Sequence, residues 1–293
     1  MKQDLLTRFT FDNYHLRGEL VQLQQSYQSI LEQRSYPASV QKLLGELLSA
    51  TSLLTATLKF EGDITVQLQG DGPLNFVAIS GNHRQELRGI ARWEGEQVQD
   101  LPFAELVGKG HIVITITPEK GERYQGIVEL DSAGVAKSLE NYFAQSEQLP
   151  TRLWLHTGQV DGQFHCAGLF LQALPGNDEK NEENFSHVSQ LNETMTADEL
   201  FTLDAEQVLF RLYHQEDVRT YEPQNVQFKC TCSQERCESA LLTMDLQELR
   251  DICEERGEIA MHCDYCGHNY RFNAADVENI FSNQTATKQD QVH

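Results

Sequence analysis

The clearest apolar periodicity in the chain runs through SVQKLLGELLSATSLLTATLKF. Val40, Leu43, Leu44, Leu47 and Leu48 recur there at helical spacing behind a Pro37-Ala38-Ser39 entry. Alternating or continuous β-rich runs follow: DITVQLQ, LNFVAIS, LRGIARW, HIVITIT and GERYQGIVEL. The first two are separated by Gly70-Asp71-Gly72-Pro73, which reads as a turn; no Lys-Ser/Thr follows it, so it lacks the residues of a phosphate-cradling loop. VAKSLENYFAQS then reads as a helix, and TRLWLHT and CAGLFLQAL as two more strands. Strands come in runs rather than alternating with helices, which predicts an α+β sheet with its helices grouped on one side.

The pattern changes after Leu174-Pro175-Gly176. From Asn177 to Glu206 there are nine acidic residues and one basic one, Lys180, and no strand signal. LDAEQVLFRLYH carries an apolar face at Ala205, Val208, Leu209 and Leu212. A helix that short is unstable alone and must lean on something. From Val226 the chain becomes a small cysteine-rich module of about sixty residues, a size at which a core is marginal without a staple. The predicted organisation is therefore an N-terminal α+β domain over 1–176, an acidic, partly helical linker over 177–225, and a C-terminal module over 226–293, ending in the polar tail QTATKQDQVH.

Charge narrows the function classes. Of the 293 residues, 23 are basic and 44 acidic, for a formal charge of −21. Nucleic acids and anionic membrane surfaces are bound through Lys and Arg, so both are disfavoured as partners. The longest apolar stretch, Leu43–Leu58, is interrupted by Glu46 and several Ser and Thr, and is too short and polar to span a bilayer. The opening MKQDLLTRFTFDNYHLRG has no apolar h-region and no small-residue cleavage site, so a cytoplasmic location is expected. In a reducing compartment, clustered cysteines point to metal or redox chemistry rather than structural disulfides.

Six of the seven cysteines lie between 230 and 266. Cys263 and Cys266, in CDYCG, form a zinc-knuckle pair, with Gly267 letting the chain turn back. The other half of a tetrahedral site must come from FKCTCSQERC. Cys230 and Cys232 would point to opposite faces of an extended strand, so sharing one ion requires a bend at Thr231. Cys237, in a predicted helix capped by Ser233, competes with Cys230 on spacing alone. His262 and His268 flank the CxxC as further possible donors. Cys253 continues the apolar face of Leu246, Leu249 and Ile252, and Cys166 sits in a strand signal; both read as core thiols. CxC and CxxC are also each short enough to close a disulfide. The same sulfurs can then bind zinc when reduced or pair when oxidised, and the two states exclude each other.

The motifs LRGEL, LLTATLKFEGDITVQLQGDGP, VITITPEKGERYQGIV, SEQLPTRL, RLYHQEDV, FKCTCSQERC and EIAMHCDYCG together resemble the heat-shock protein 33 family of redox-regulated bacterial holdase chaperones. The resemblance covers essentially the whole chain, and thirty residues separate its CxC from its CxxC. It implies a chaperone that uses no ATP, not an enzyme. It implies one Zn²⁺ held by Cys230, Cys232, Cys263 and Cys266, and oxidation that pairs Cys230 with Cys232 and Cys263 with Cys266. Zinc release, unfolding of the C-terminal region, binding of unfolding client proteins and dimerisation of the oxidised form complete the expectation. Cys166, Cys237 and Cys253 match no ligand position of the family. Without the resemblance, a thiol-disulfide oxidoreductase built on CDYC and a zinc-ribbon interaction module would remain as alternatives.

Overall fold

The structure, a computed structural model, describes residues 4–57, 61–95, 98–175 and 179–290, with the backbone alone at 179–180 and 283–290. The predicted boundary at 176–177, Asp178 at the head of the acidic run, and the last residues of the predicted long helix (Leu58 to Phe60) lie outside the described residues. The chain forms two compact units, Met1–Lys229 and Cys230–His293.

The first unit begins with a hairpin, β1 (Leu5–Phe11) and β2 (Leu16–Leu23), followed by helices α1 (Gln25–Leu31) and α2 (Ala38–Thr57). Strands β3 (Gly62–Gly70), β4 (Leu74–Asn82) and β5 (Glu86–Trp93) form a meander. A short α3 (Phe103–Val107), β6 (Gly110–Pro118) and β7 (Tyr124–Glu129) follow. Helix α4 (Val135–Tyr142), extended by a π-helical turn over Phe143–Glu147, leads to a second long hairpin, β8 (Thr151–Val160) and β9 (Gln163–Ala173). Three helices then cross one sheet: α5 (Glu179–Asn192), α6 (Ala197–Thr202) and α7 (Ala205–Tyr213). The unit closes with three very short strands, β10 (Val218–Thr220), β11 (Gln224–Asn225) and β12 (Gln227–Phe228).

These strands make two sheets. One runs β10-β1-β2-β9-β8, with β11 also paired to β1; the other runs β12-β5-β4-β3-β6-β7. Helix α2 is packed into the core with residues of both sheets, rather than lying on one side of a single sheet. It is buried almost all round from Ser49 to Ala56. Three of its buried hydroxyls find partners inside the protein. Thr51 and Thr55 donate to the carbonyls of Leu47 and Thr51 at 2.7 Å, and Ser52 donates to Gln85 Oε1 at 2.7 Å. Small residues satisfied in this way let a helix that reads as half polar sit inside a core.

The opposite face of the first sheet carries Phe9, Phe11, Leu16, Leu20, Leu169 and Leu171, and α5 to α7 cover it. Gly18 lies across from Phe9, where an added methyl would come 2.1 Å from the Phe9 ring, so only glycine admits that aromatic. Helices α6 and α7 start at capping boxes, Thr196 with Glu199 and Asp204 with Gln207. Val208, Leu209 and Leu212, the face predicted to need a partner, are buried there.

The second unit holds α8 (Gln234–Leu241), α9 (Leu246–Arg256), a hairpin of β13 (Ile259–His262) and β14 (Asn269–Phe272), and α10 (Ala274–Asp290). The backbone of the polar tail continues that last helix through Asp290. The buried core is small: Leu241, Leu249, Cys253, Ile259, Phe272 and Val277. Among the described residues no helix is long and apolar enough to cross a membrane.

Candidate metal centre

Two short segments of the second unit build the site. The hairpin of β13 and β14 turns through Cys263-Asp264-Tyr265-Cys266-Gly267. The Gly267 N–H donates to the Cys263 carbonyl at 2.9 Å, and the Cys263 N–H donates to the His268 carbonyl at 2.9 Å. Gly267 has φ +69°, the left-handed conformation that glycine adopts without a Cβ clash. In the other segment the chain bends at Thr231, and the Cys232 N–H points at Cys230 Sγ, 3.5 Å away. The bend is braced by α8: Ser233 caps that helix, and Arg236 Nη1 donates to Thr231 Oγ1 at 2.7 Å.

The result is a cluster of four half-buried sulfurs, those of Cys230, Cys232, Cys263 and Cys266, all within 4.8 Å of one another. Cys230 lies 3.6 Å from Cys263, and Cys232 lies 3.4 Å from Cys266. Four thiolates around an ion at about 2.3 Å form a tetrahedron with edges of about 3.8 Å, so this donor set fits one soft tetrahedral ion. The cluster can hold a metal ion.

The surroundings favour thiolate at one position. Burial raises the Cys232 thiol, but hydrogen bonding from Tyr270, Cys266, Cys230 and Cys263 outweighs it, bringing Cys232 down to about 7. Tyr270 Oη donates to Cys232 Sγ at 3.2 Å, and the His268 ring meets the Tyr270 ring edge-on at 4.5 Å. Burial pushes Cys230 and Cys266 upward. Tyr270 was missed in the sequence. Its only signal is the alternation of HNYRF, which places it opposite Met261 in the hairpin.

The other predicted donors lie elsewhere. Cys237 is half-buried against the small core, and burial, then Cys232 and Cys263, raise its thiol. His262 Nδ1 pairs with Asn269 Oδ1 at 3.0 Å. Cys253 and Cys166 are buried core thiols. A second cluster of possible donors, Glu61, His83 and Glu119, lies in the first unit. There the Gly62 N–H donates to His83 Nδ1 at 3.1 Å, so the acceptor nitrogen of that ring is already used within the fold.

Comparison with known proteins places the whole chain. The Hsp33 protein family matches residues 4–273. A 33 kDa chaperonin of Aeromonas salmonicida is 55% identical over 291 residues, 99% of each chain. One from Pectobacterium atrosepticum is 56% identical over 280 residues, 96% of each chain. The crystal structure of the 33 kDa chaperonin (heat shock protein 33 homologue) of Thermotoga maritima superposes with a TM-score of 0.83 at 21% identity, covering 97% of this chain and 100% of that one, a likeness of fold.

Proposed function

The chain belongs to the Hsp33 protein family, and on that premise we propose that it is a redox-switched, ATP-independent holdase of the cytoplasm. Hsp33 proteins are holdase chaperones, not enzymes. In the reduced state Cys230, Cys232, Cys263 and Cys266 hold one Zn²⁺, which cross-links the two halves of a unit whose own core is six buried residues among those described. A structural zinc contributes on the order of 10–16 kcal/mol to a small domain, against whole-domain stabilities of about 5–15 kcal/mol. A peroxide takes two electrons from each cysteine pair. Two thiols and one peroxide give one disulfide and two waters, and the donors are gone.

The oxidised pairs are Cys230–Cys232 and Cys263–Cys266. In the folded cluster sulfur separations of 3.6 and 3.4 Å also run across the two motifs, Cys230 to Cys263 and Cys232 to Cys266. Pairing within each motif is supported by the one- and two-residue loops, which keep the partners close once the fold is lost. The second unit then unfolds. The linker over 177–225 follows it, and its acidic residues favour the extended, solvated state. The apolar face of the first sheet becomes available to unfolding proteins, and the active form dimerises.

The observation that carries this reading is the convergence of four sulfurs in a unit with so small a core. The test is suppression of aggregation of a heat-unfolded protein, with zinc counted in the same samples before and after peroxide. Gain of activity with loss of about one zinc per chain is expected. Activity that disappears with the zinc would identify a static zinc-binding interaction module. Turnover of a dithiol without loss of metal would identify an oxidoreductase.

A further inference from the structure

A thiolate that binds one metal ion keeps lone pairs that can accept hydrogen bonds. The second unit fills some of them. Two of these bonds come from the backbone: the Cys232 N–H points at Cys230 Sγ from 3.5 Å, and the His268 N–H bonds Cys266. Any chain that makes the same two tight turns acquires such bonds, whatever its side chains. A third bond differs in kind. Tyr270 Oη donates to Cys232 Sγ at 3.2 Å, from a side chain on β14 to a sulfur of the other motif. It therefore joins the hairpin to the CxC segment without passing through the metal.

The hydroxyl is delivered by a ring that the fold holds in place. Tyr270 lies opposite Met261 in the hairpin, packs against the small core of the unit, and meets the His268 ring edge-on at 4.5 Å. A phenylalanine would make all of these contacts. What it would lack is the O–H aimed at Cys232. Packing alone accounts for the ring and leaves the hydroxyl unexplained. Cys232 is half-buried, so its sulfur is also within reach of a small oxidant from solvent.

We propose that Tyr270 is a positioning residue that sets how much oxidant the switch needs: by donating to Cys232 it draws electron density from that sulfur and slows its attack on peroxide. This rests on the redox-switch reading. In that attack the Cys232 sulfur forms an S–O bond as the peroxide O–O bond breaks, and the released hydroxide takes a proton and leaves as water. A neighbouring thiolate then displaces hydroxide from the sulfenic acid; the S–S bond forms, the S–O bond breaks, and a second proton gives the second water. The cysteine pair loses two electrons and the peroxide gains them. The first step draws charge away from the sulfur, so the Tyr270 hydrogen bond weakens on the way to the transition state. It stabilises the starting thiolate more than the state that reacts. A hydrogen bond to a charged group shifts an equilibrium by roughly ten- to a hundredfold. Thiolate attack feels about half of that on a logarithmic scale, so an effect on the order of fivefold is expected.

Tyr270→Phe in the full-length, reduced, zinc-loaded chain tests it. Zinc release is followed with a colorimetric chelator at several peroxide concentrations. The slope against peroxide reports attack on sulfur, and the intercept reports spontaneous loss of metal. The slope is expected to rise on the order of fivefold. Cobalt(II) loaded in place of zinc gives a second readout. Its sulfur-to-metal charge-transfer band is expected to move to lower energy as the sulfur becomes more electron-rich, while the d–d bands of the tetrahedral ion stay where they are. 3-Fluorotyrosine at position 270, a stronger donor of nearly the same shape, is expected to lower the slope and move the band the other way. It carries the test should Tyr270→Phe fail to load metal. An unchanged slope in the metal-loaded variants overturns the proposal. So does a raised slope with an unmoved band, because looser packing alone would produce it. A wild-type chain that keeps its metal under peroxide refutes the redox-switch reading and the role of Tyr270 with it. The rates are read on metal loss rather than on holdase activity. A chain that releases metal yet never suppresses aggregation therefore refutes the holdase reading, while the slope still decides the role of Tyr270.

Discussion

The first sheet and the cysteine hairpin solve the same problem with opposite means. In the first unit, buried Leu, Val and Ile from two sheets close around α2, and a further apolar layer forms under α5 to α7. In the second, six buried residues support three helices and a hairpin, beside a cluster of four half-buried sulfurs. Burial of apolar area is indifferent to oxidants. A thiolate cross-link is not, since its donors are also the groups an oxidant attacks. The contrast makes the two-sheet body of the first unit permanent and the second unit conditional.

The largest expected effect breaks the conditional side alone. Removing the metal with a chelator, or substituting Cys263→Ser, should remove most of the roughly 10–16 kcal/mol a structural zinc supplies. The second unit should then have no folding transition of its own. Calorimetry should show the first unit melting close to its original temperature. A second unit that still melts cooperatively without metal would mean that its small core suffices.

Leu209→Asp attacks the layer between these extremes. Leu209 is 3% exposed in the core under α7, and a carboxylate there should cost several kcal/mol if the helix stays packed. The reduced, zinc-loaded variant should suppress aggregation and be cleaved by protease between about residues 177 and 220. An opened linker with full zinc and no holdase activity would show that client binding depends on the unfolded second unit.

Much of this was legible in the sequence, for reasons that differ by region. The Cys263–Cys266 knuckle and the bend at Thr231 could be read because metal chemistry fixes residue type and spacing together. The apolar face of α7 could be read because it obeys a period. The strands β1 and β2 were not read, since LLTRFTF mixes Thr and Arg into an edge-facing hairpin. The strands of the second sheet were read, but the burial of α2 among residues of two sheets was hidden by Ser49, Thr51, Ser52 and Thr55, which look polar yet are buried. Strands β10, β11 and β12 were hidden because strands two or three residues long carry too little side-chain pattern to read.

A pH series should separate the two units by sign. Glu19 in β2 is buried, and its Oε2 has no hydrogen-bond partner among the described residues. Burial raises its carboxyl to about 7, against opposing pulls from Arg17 and Arg8. A raised carboxyl means the folded state keeps a proton that the unfolded state releases above about pH 4.5. Stability of the first unit should therefore fall as pH rises from about 4.5 to 7, then level off. The full penalty is about 3 kcal/mol as an upper figure. Glu19→Gln should remove this slope and be the more stable form at pH 8. The second unit should move the other way, because protons compete with the metal for thiolates. Denaturant melts at several pH values check both; a Glu19→Gln variant with an unchanged slope would assign the titration elsewhere.

The smallest expected effect is the sharpest test of which sulfurs matter. Cys237 and Cys230 are neighbours in sequence and both part-buried, yet only Cys230 has its Sγ in the four-sulfur cluster. Cys237 instead packs from α8 against the small core, beside residues such as Leu241 and Cys253. Cys237→Ser replaces a small hydrophobe with a hydroxyl at a partly exposed position. It should cost about 1 kcal/mol or less of stability in the second unit and leave one zinc per chain. Cys230→Ser should lower zinc affinity by orders of magnitude, since it removes one of four thiolates. Zinc titration of the two reduced variants decides the matter. Equal zinc loss in both would make Cys237 part of the centre, and retention in Cys230→Ser alone would exchange their places.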